Sequence, residues 1–103
     1  MVSLRYRGKF NAALYALAVR EGDVRARLRC AYRELRSLRE DEVPVRLRTE
    51  WHAVLKELTR RGPSYFSTGE VHQSAIDHTL NRMRNKTGRR IAVKIYALVR
   101  SVE

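Results

Sequence analysis

An all-α fold, a compact bundle of four to five amphipathic helices with antiparallel neighbours joined by short loops, is predicted by three features of this sequence. Apolar residues recur at steps of three and four along nearly every segment, the period of a helix with one buried face. Only two prolines and five glycines interrupt 103 residues, too few for a loop-rich β fold or a disordered chain. No period-two alternation longer than four residues competes. A chain of this size forms one domain, residues 1–103, and buries roughly 60% of its unfolded surface without disulfide or metal staples.

The first helix runs from about Ser3 to Arg20, with Phe10, Ala13, Leu14, Leu17 and Ala18 on its apolar face. Gly8 costs roughly 1 kcal/mol relative to alanine inside a helix and moves the expected start towards Lys9. The same stretch mimics a secretory signal, with a basic start, an apolar middle and Ala16-Leu17-Ala18. Asn11 and the helical spacing argue for an amphipathic helix instead. Gly22 is the expected stop and Asp23 the next N-cap.

Val24, Leu28, Ala31, Leu35 and Leu38 give the second helix the cleanest stripe in the chain. Glu40, Asp41 and Glu42 then precede Pro44, where carboxylates suit the positive end of a third helix. That helix buries Leu47, Trp51, Val54, Leu55 and Leu58 and stops at Gly62-Pro63. The segment GPSYFSTG is the one extended non-helical stretch. Ser67 and Glu70 are spaced as a capping box, so the fourth helix is expected from about Thr68 to Asn85, with Val71, Ala75, Ile76, Leu80 and Met83 facing inward. The fifth begins at Thr87 or Gly88 and carries Ile91, Ala92, Ile95, Leu98, Val99 and Val102 on one broad face, with Tyr96 beside it. That face is wide enough to sit centrally in the bundle or to meet a second copy.

Little in the sequence points to catalysis. Cys30 is the single cysteine, so there is neither an intrachain disulfide nor a cysteine zinc cluster, and a reducing, cytoplasmic setting is expected. No apolar run reaches ~18 residues, so no membrane insertion is expected. His72 and His78 fall on opposite sides of the expected fourth helix, and Asp77 points about 100° away from His78. No phosphate-binding glycine loop or nucleophile elbow occurs. No catalytic residue, metal ligand or cofactor is therefore expected, and an enzyme would require distant acids or histidines to meet only in the fold. Tyr65 and Phe66 allow two readings: a stacking platform for single-stranded nucleic acid or an anchor for a partner, against rings folded back over the adjoining helix ends. The second is favoured because large exposed rings are costly.

Charge is the unusual property, at +11. Residues 1–20 hold Arg5, Arg7, Lys9 and Arg20 and no acid, residues 82–103 hold seven cations against Glu103, and residues 21–81 hold 11 bases and 10 acids. In an alternating five-helix bundle the first, third and fifth helices start at one pole, which would merge the two basic ends into a single cap. Arg82, Arg84 and Lys86 suit the end of the fourth helix; Arg89 and Arg90 fall in the first turn of the fifth, where an anion is preferred. The expected function is a non-catalytic module contacting nucleic-acid phosphates or another polyanion, without base-specific readout, through Arg5, Arg7, Lys9, Arg84, Lys86, Arg89 and Arg90. The alternative is a protein–protein module, a homodimer through the fifth or first helix, with Ile95, Leu98 or Val102 at the contact.

Overall fold

The computed structural model describes residues 4–102. In chain order it contains α1 (Arg5–Val19), α2 (Val24–Arg36), a 3₁₀ turn (Glu40–Glu42), α3 (Val45–Leu58), β1 (Ser64–Tyr65), β2 (Val71–Gln73), α4 (Ala75–Asn81) and α5 (Asn85–Arg100). The fold is an all-α bundle, with a two-stranded antiparallel hairpin as its one departure among the described residues.

Local chemistry sets the first boundaries. Helix α1 runs through Gly8 and ends before Gly22, whose φ of +100° is one that a side chain would resist. Asp23 then caps α2, its carboxylate accepting from the backbone N–H groups of Arg25 and Ala26. The stripe of α2 packs as its spacing implies: Leu28, Ala31, Leu35 and Leu38 are buried, and Val24 is half-buried. Phe10, Leu58, Ile91 and Ile95 complete the interior. Trp51 on α3 donates its indole N–H to the Leu35 carbonyl at 3.0 Å inside that core, which fixes α3 against α2.

Helix α2 is the central element, in contact with α1, α3, α4 and α5. Arg5 at the start of α1 reaches Ser37 and Glu42 beyond the end of α2, and Arg27 near the start of α2 donates to the Leu17 carbonyl near the end of α1. These two helices are therefore antiparallel. Glu57 near the end of α3 meets Arg90 and Lys94 on α5, while Arg46 at the start of α3 donates to the carbonyl of Ser101 just beyond α5. The result is an up-and-down bundle of α1, α2, α3 and α5. At its first pole α1 and α3 begin; at its second pole α2 and α5 begin.

Three expected elements differ. The acidic triplet precedes α3 as its position before Pro44 implies, but it forms a separate 3₁₀ turn, in which Glu42 folds inward to accept from the Arg39 backbone N–H (2.9 Å) and the Arg5 guanidinium (2.8 Å). The Ser67–Glu70 segment is not a helix cap. It is the turn of the hairpin, with Gly69 at φ +90° and Phe66 N–H donating to the Glu70 carbonyl. The real cap of α4 is Ser74, whose hydroxyl accepts from Asp77 N–H. Finally, α4 ends at Asn81, and α5 starts at Asn85 rather than at Thr87 or Gly88. Gly88 is inside α5 and buried, and a Cβ there would lie 2.9 Å from Val24 Cγ1. It serves close helix approach, not termination.

Candidate nucleic-acid interface

The seven cations expected at one site are divided between the two poles. Arg5, Arg7 and Lys9 begin α1 at the first pole; Arg84, Lys86, Arg89 and Arg90 begin α5 at the second. The single-cap expectation fails because α4 is one short helix beside a hairpin rather than a full crossing of the bundle, so α5 runs antiparallel to α1. Fifteen residues of α1 span about 22 Å, well over two Debye lengths of ~8 Å at physiological salt. The two basic groups are electrostatically independent.

At the first pole the charges are largely answered from within the chain. Arg5 holds Glu42, and Lys9 reaches Glu34 at 3.2 Å. Arg7 donates to the Tyr6 hydroxyl at 3.2 Å. The Arg39 backbone N–H and the Arg5 guanidinium hold the Glu42 carboxyl below the usual carboxylate range.

At the second pole Arg90 also has its anion: Glu57, which it shares with Lys94. Burial pushes the Glu57 carboxyl up, but the hydrogen bonds and charges of Lys94 and Arg90 outweigh it and hold the group below its ordinary value. Arg84, Lys86 and Arg89 are different. They are exposed, and among the described residues none of them has an ion pair. Arg84 is the N-cap residue of α5 and supplies no side-chain cap, and the first turn contains no acid. The orphan N–H groups and positive end of a 16-residue helix thus sit among three uncommitted cations. Arg82 follows α4, and Arg60 and Arg61 follow α3, at the same pole, exposed and likewise without an acid partner among the described residues.

A second cationic surface, missed by segment-wise charge counting, lies between α2 and the hairpin. Arg29, Tyr32, Arg33 and Arg36 form one wall of a groove of about 540 Å³, facing His72 and Gln73 of β2 and Asp77 of α4. Arg29 is committed to Asp77 at 2.7 Å. Arg33 and Arg36 are exposed with no acid partner among the described residues, and the Arg36 guanidinium lies 5.9 Å from the Tyr32 ring centre. The signal was present as Arg29, Arg33 and Arg36 at steps of four and three, which share a helix face.

The histidines do not converge. His72 is on β2 and His78 on α4, where its Nδ1 lies 2.9 Å from the Gly62 carbonyl oxygen. Asp77 is turned to Arg29. Tyr65 and Phe66 do not fold back over the core: they are 60% and 52% exposed. Ile95 and Leu98 on α5 are buried in the chain's own core and offer no free face for the expected homodimer contact, while Val102, beyond the end of α5, is half-buried. No helix among the described residues is long and apolar enough to cross a membrane.

Fold and charge together define a class: an all-α up-and-down helical bundle with a cationic pole and a basic, aromatic-flanked groove. Comparison with protein families, curated proteins and solved structures gives no match to this chain.

Proposed function

We propose that the chain is a non-catalytic binding module that contacts nucleic-acid phosphates at its second pole. One observation carries the reading. Arg84, Lys86 and Arg89 surround the uncapped start of α5 without an internal anion: Asp23 and Glu57 at this pole are committed to Arg25, Arg90 and Lys94, and Glu21, exposed in the turn before α2, forms no ion pair with them. Backbone N–H groups and cations at a helix start form the usual chemistry of phosphate binding, and contacts to phosphate alone carry no base readout. The lone, half-buried Cys30 fits a cytoplasmic setting for such a module.

The test compares two triple charge reversals that alter net charge equally. Arg84→Glu, Lys86→Glu and Arg89→Glu are expected to weaken retention of duplex and single-stranded DNA and to reduce the slope of log affinity against log salt by about 2 to 3. Arg7→Glu, Arg46→Glu and Arg100→Glu, near the first pole, are expected to leave that slope nearly intact. Absence of any salt-dependent retention by the parent protein at low salt would reject the reading.

A second reading rests on a different surface. Between α1 and α5, Leu14, Leu17 and Ala18 face Ala92, Val93 and Tyr96 across a shallow groove, with Val93 66% and Tyr96 50% exposed. From Phe10 to Val19 the chain has no charged residue, so this strip is where a second copy of a +11 protein would approach with least repulsion. Sedimentation equilibrium of the parent and of Val93→Glu distinguishes the cases. A dimer abolished by Val93→Glu supports self-association, and a monomer at every concentration removes it.

A further inference from the structure

We infer that the groove between α2 and the hairpin takes an unpaired strand of nucleic acid, its phosphates held by Arg33 and Arg36 and one of its bases stacked on the Phe66–His72 ring pair. This rests on the phosphate-binding reading above and adds to its second pole a contact, specific to single strands, on a different wall of the molecule. The hairpin supplies the first argument. Ser64 and Tyr65 pair with Gln73 and Val71, which leaves His72 as the extra residue of a bulge. A bulge bends the strand and re-aims the side chain at it. Here the His72 ring stands beside Phe66, with ring centres 4.6 Å apart and planes tilted by 44°, and His72 also lines the groove.

Exposure supplies the second argument. Phe66 is more than half exposed, on a hairpin that contributes no residue to the hydrophobic core. A ring pair held by a bulge at the rim of a cationic groove matches the composition of sequence-tolerant single-strand sites, which combine a basic track with aromatic faces. A duplex keeps its bases stacked on one another and offers no ring face along its length; an unpaired strand does.

Charge decides which side chains touch the backbone. Asp77 lines the same groove and would repel a phosphate, but it is neutralised by Arg29. That pair leaves Arg33 and Arg36, one turn apart on α2, as the cations available to the strand. Gln73 and Asn81, also on the groove wall, present amides that can donate to or accept from a base edge.

The experiment uses the full chain and fluorescein-labelled oligothymidylate, alone and annealed to oligoadenylate, at fixed low salt. The single strand is expected to bind more tightly than the duplex. Phe66→Ala is expected to weaken single-strand binding by about 5- to 150-fold, the range for one stacked base, and to leave duplex binding unchanged. Arg33→Glu with Arg36→Glu is expected to weaken the single strand selectively, and Phe66→Tyr to retain it. Circular dichroism checks that each variant is folded, and the α2 double variant provides the test if the hairpin variant is not. Equal affinity for both forms, with no effect of Phe66→Ala or of the α2 reversals, would overturn the inference. If the Arg84, Lys86 and Arg89 reversal still weakened both forms, the phosphate-binding pole would stand without it. No binding of either form by the parent would overturn both.

Discussion

Carboxylates are the scarce partners on a chain with 22 basic and 11 acidic side chains, so each acid's choice determines which cations are left over. Glu57 takes Arg90 and Lys94, which removes Arg90 from the candidate interface and isolates Arg89. Glu57→Gln is expected to lower stability by about 1 kcal/mol, the worth of two partly exposed pairs. It is also expected to tighten polyanion binding, since two more cations become free. Chemical denaturation and a salt titration of affinity check the two halves. The pH dependence has a defined sign. Glu42 and Glu57 are both held below their ordinary value of 4.5, so each binds a proton more readily in the unfolded chain. Their contribution is complete above about pH 5 and is lost as pH falls through 4.5 and below. In Glu42→Gln the acid side of the melting-temperature profile is expected to be flatter, and the gap from the parent to narrow towards pH 3, as thermal melts from neutral to acid pH would show.

Between elements, the interpretable feature is the α2–α5 contact at Gly88. Alanine there gains helix propensity of about 1 kcal/mol, yet its Cβ would lie 2.9 Å from Val24 Cγ1 and 3.5 Å from Leu28 Cδ1. Val24 is β-branched and stiff about χ1, and overpacking of this kind costs about 1–3 kcal/mol. Gly88→Ala is therefore expected to destabilise by about 1 kcal/mol, and Val24→Ala, which removes the opposing methyl, to recover most of the loss in the double variant. A double-mutant cycle by urea denaturation measures that coupling. The same contact explains why this boundary was illegible. Leu80, Met83, Ile91 and Ile95 keep nearly helical spacing across the break at residues 82–84, so periodicity runs through it, and the glycine that looked like a stop is needed for packing. The α2 stripe and the Asp23 cap were legible because spacing and capping agreed there. The hairpin was not, because Ser67–Glu70 and Ser74–Asp77 both carry a capping pattern and only tertiary packing selects the second. Arg33 and Arg36 are hidden in the sequence for an arithmetic reason: the acids of the same segment cancel them in a sum, although in space none of those acids pairs with either arginine.

Across the whole molecule, the number of bundle crossings decides what charge can do. Had α4 crossed the bundle, both basic ends of the chain would share one pole; because it is a seven-residue helix, they lie about 20 Å apart. The field is therefore that of a broadly positive particle with two local concentrations, and its self-repulsion bears on stability. Folding gathers an excess of +11 into a radius of gyration of 14.1 Å, against about 30 Å for an unfolded chain of this length. Net charge of one sign opposes the compact state, and added salt screens that repulsion over ~8 Å at physiological strength. It also weakens the ion pairs, but most of these are exposed and contribute only about 0–1 kcal/mol each. Repulsion is the larger sum, so the melting temperature is expected to rise as sodium chloride increases from low to physiological concentration. Trp51, the one tryptophan and buried at the α2–α3 contact, reports unfolding through its fluorescence. A melting temperature that fell with salt would mean that the internal pairs, Glu57 with Arg90 and Lys94 foremost, outweigh the net charge. Arg84, Lys86 and Arg89 would then be less costly to the fold than their isolation suggests.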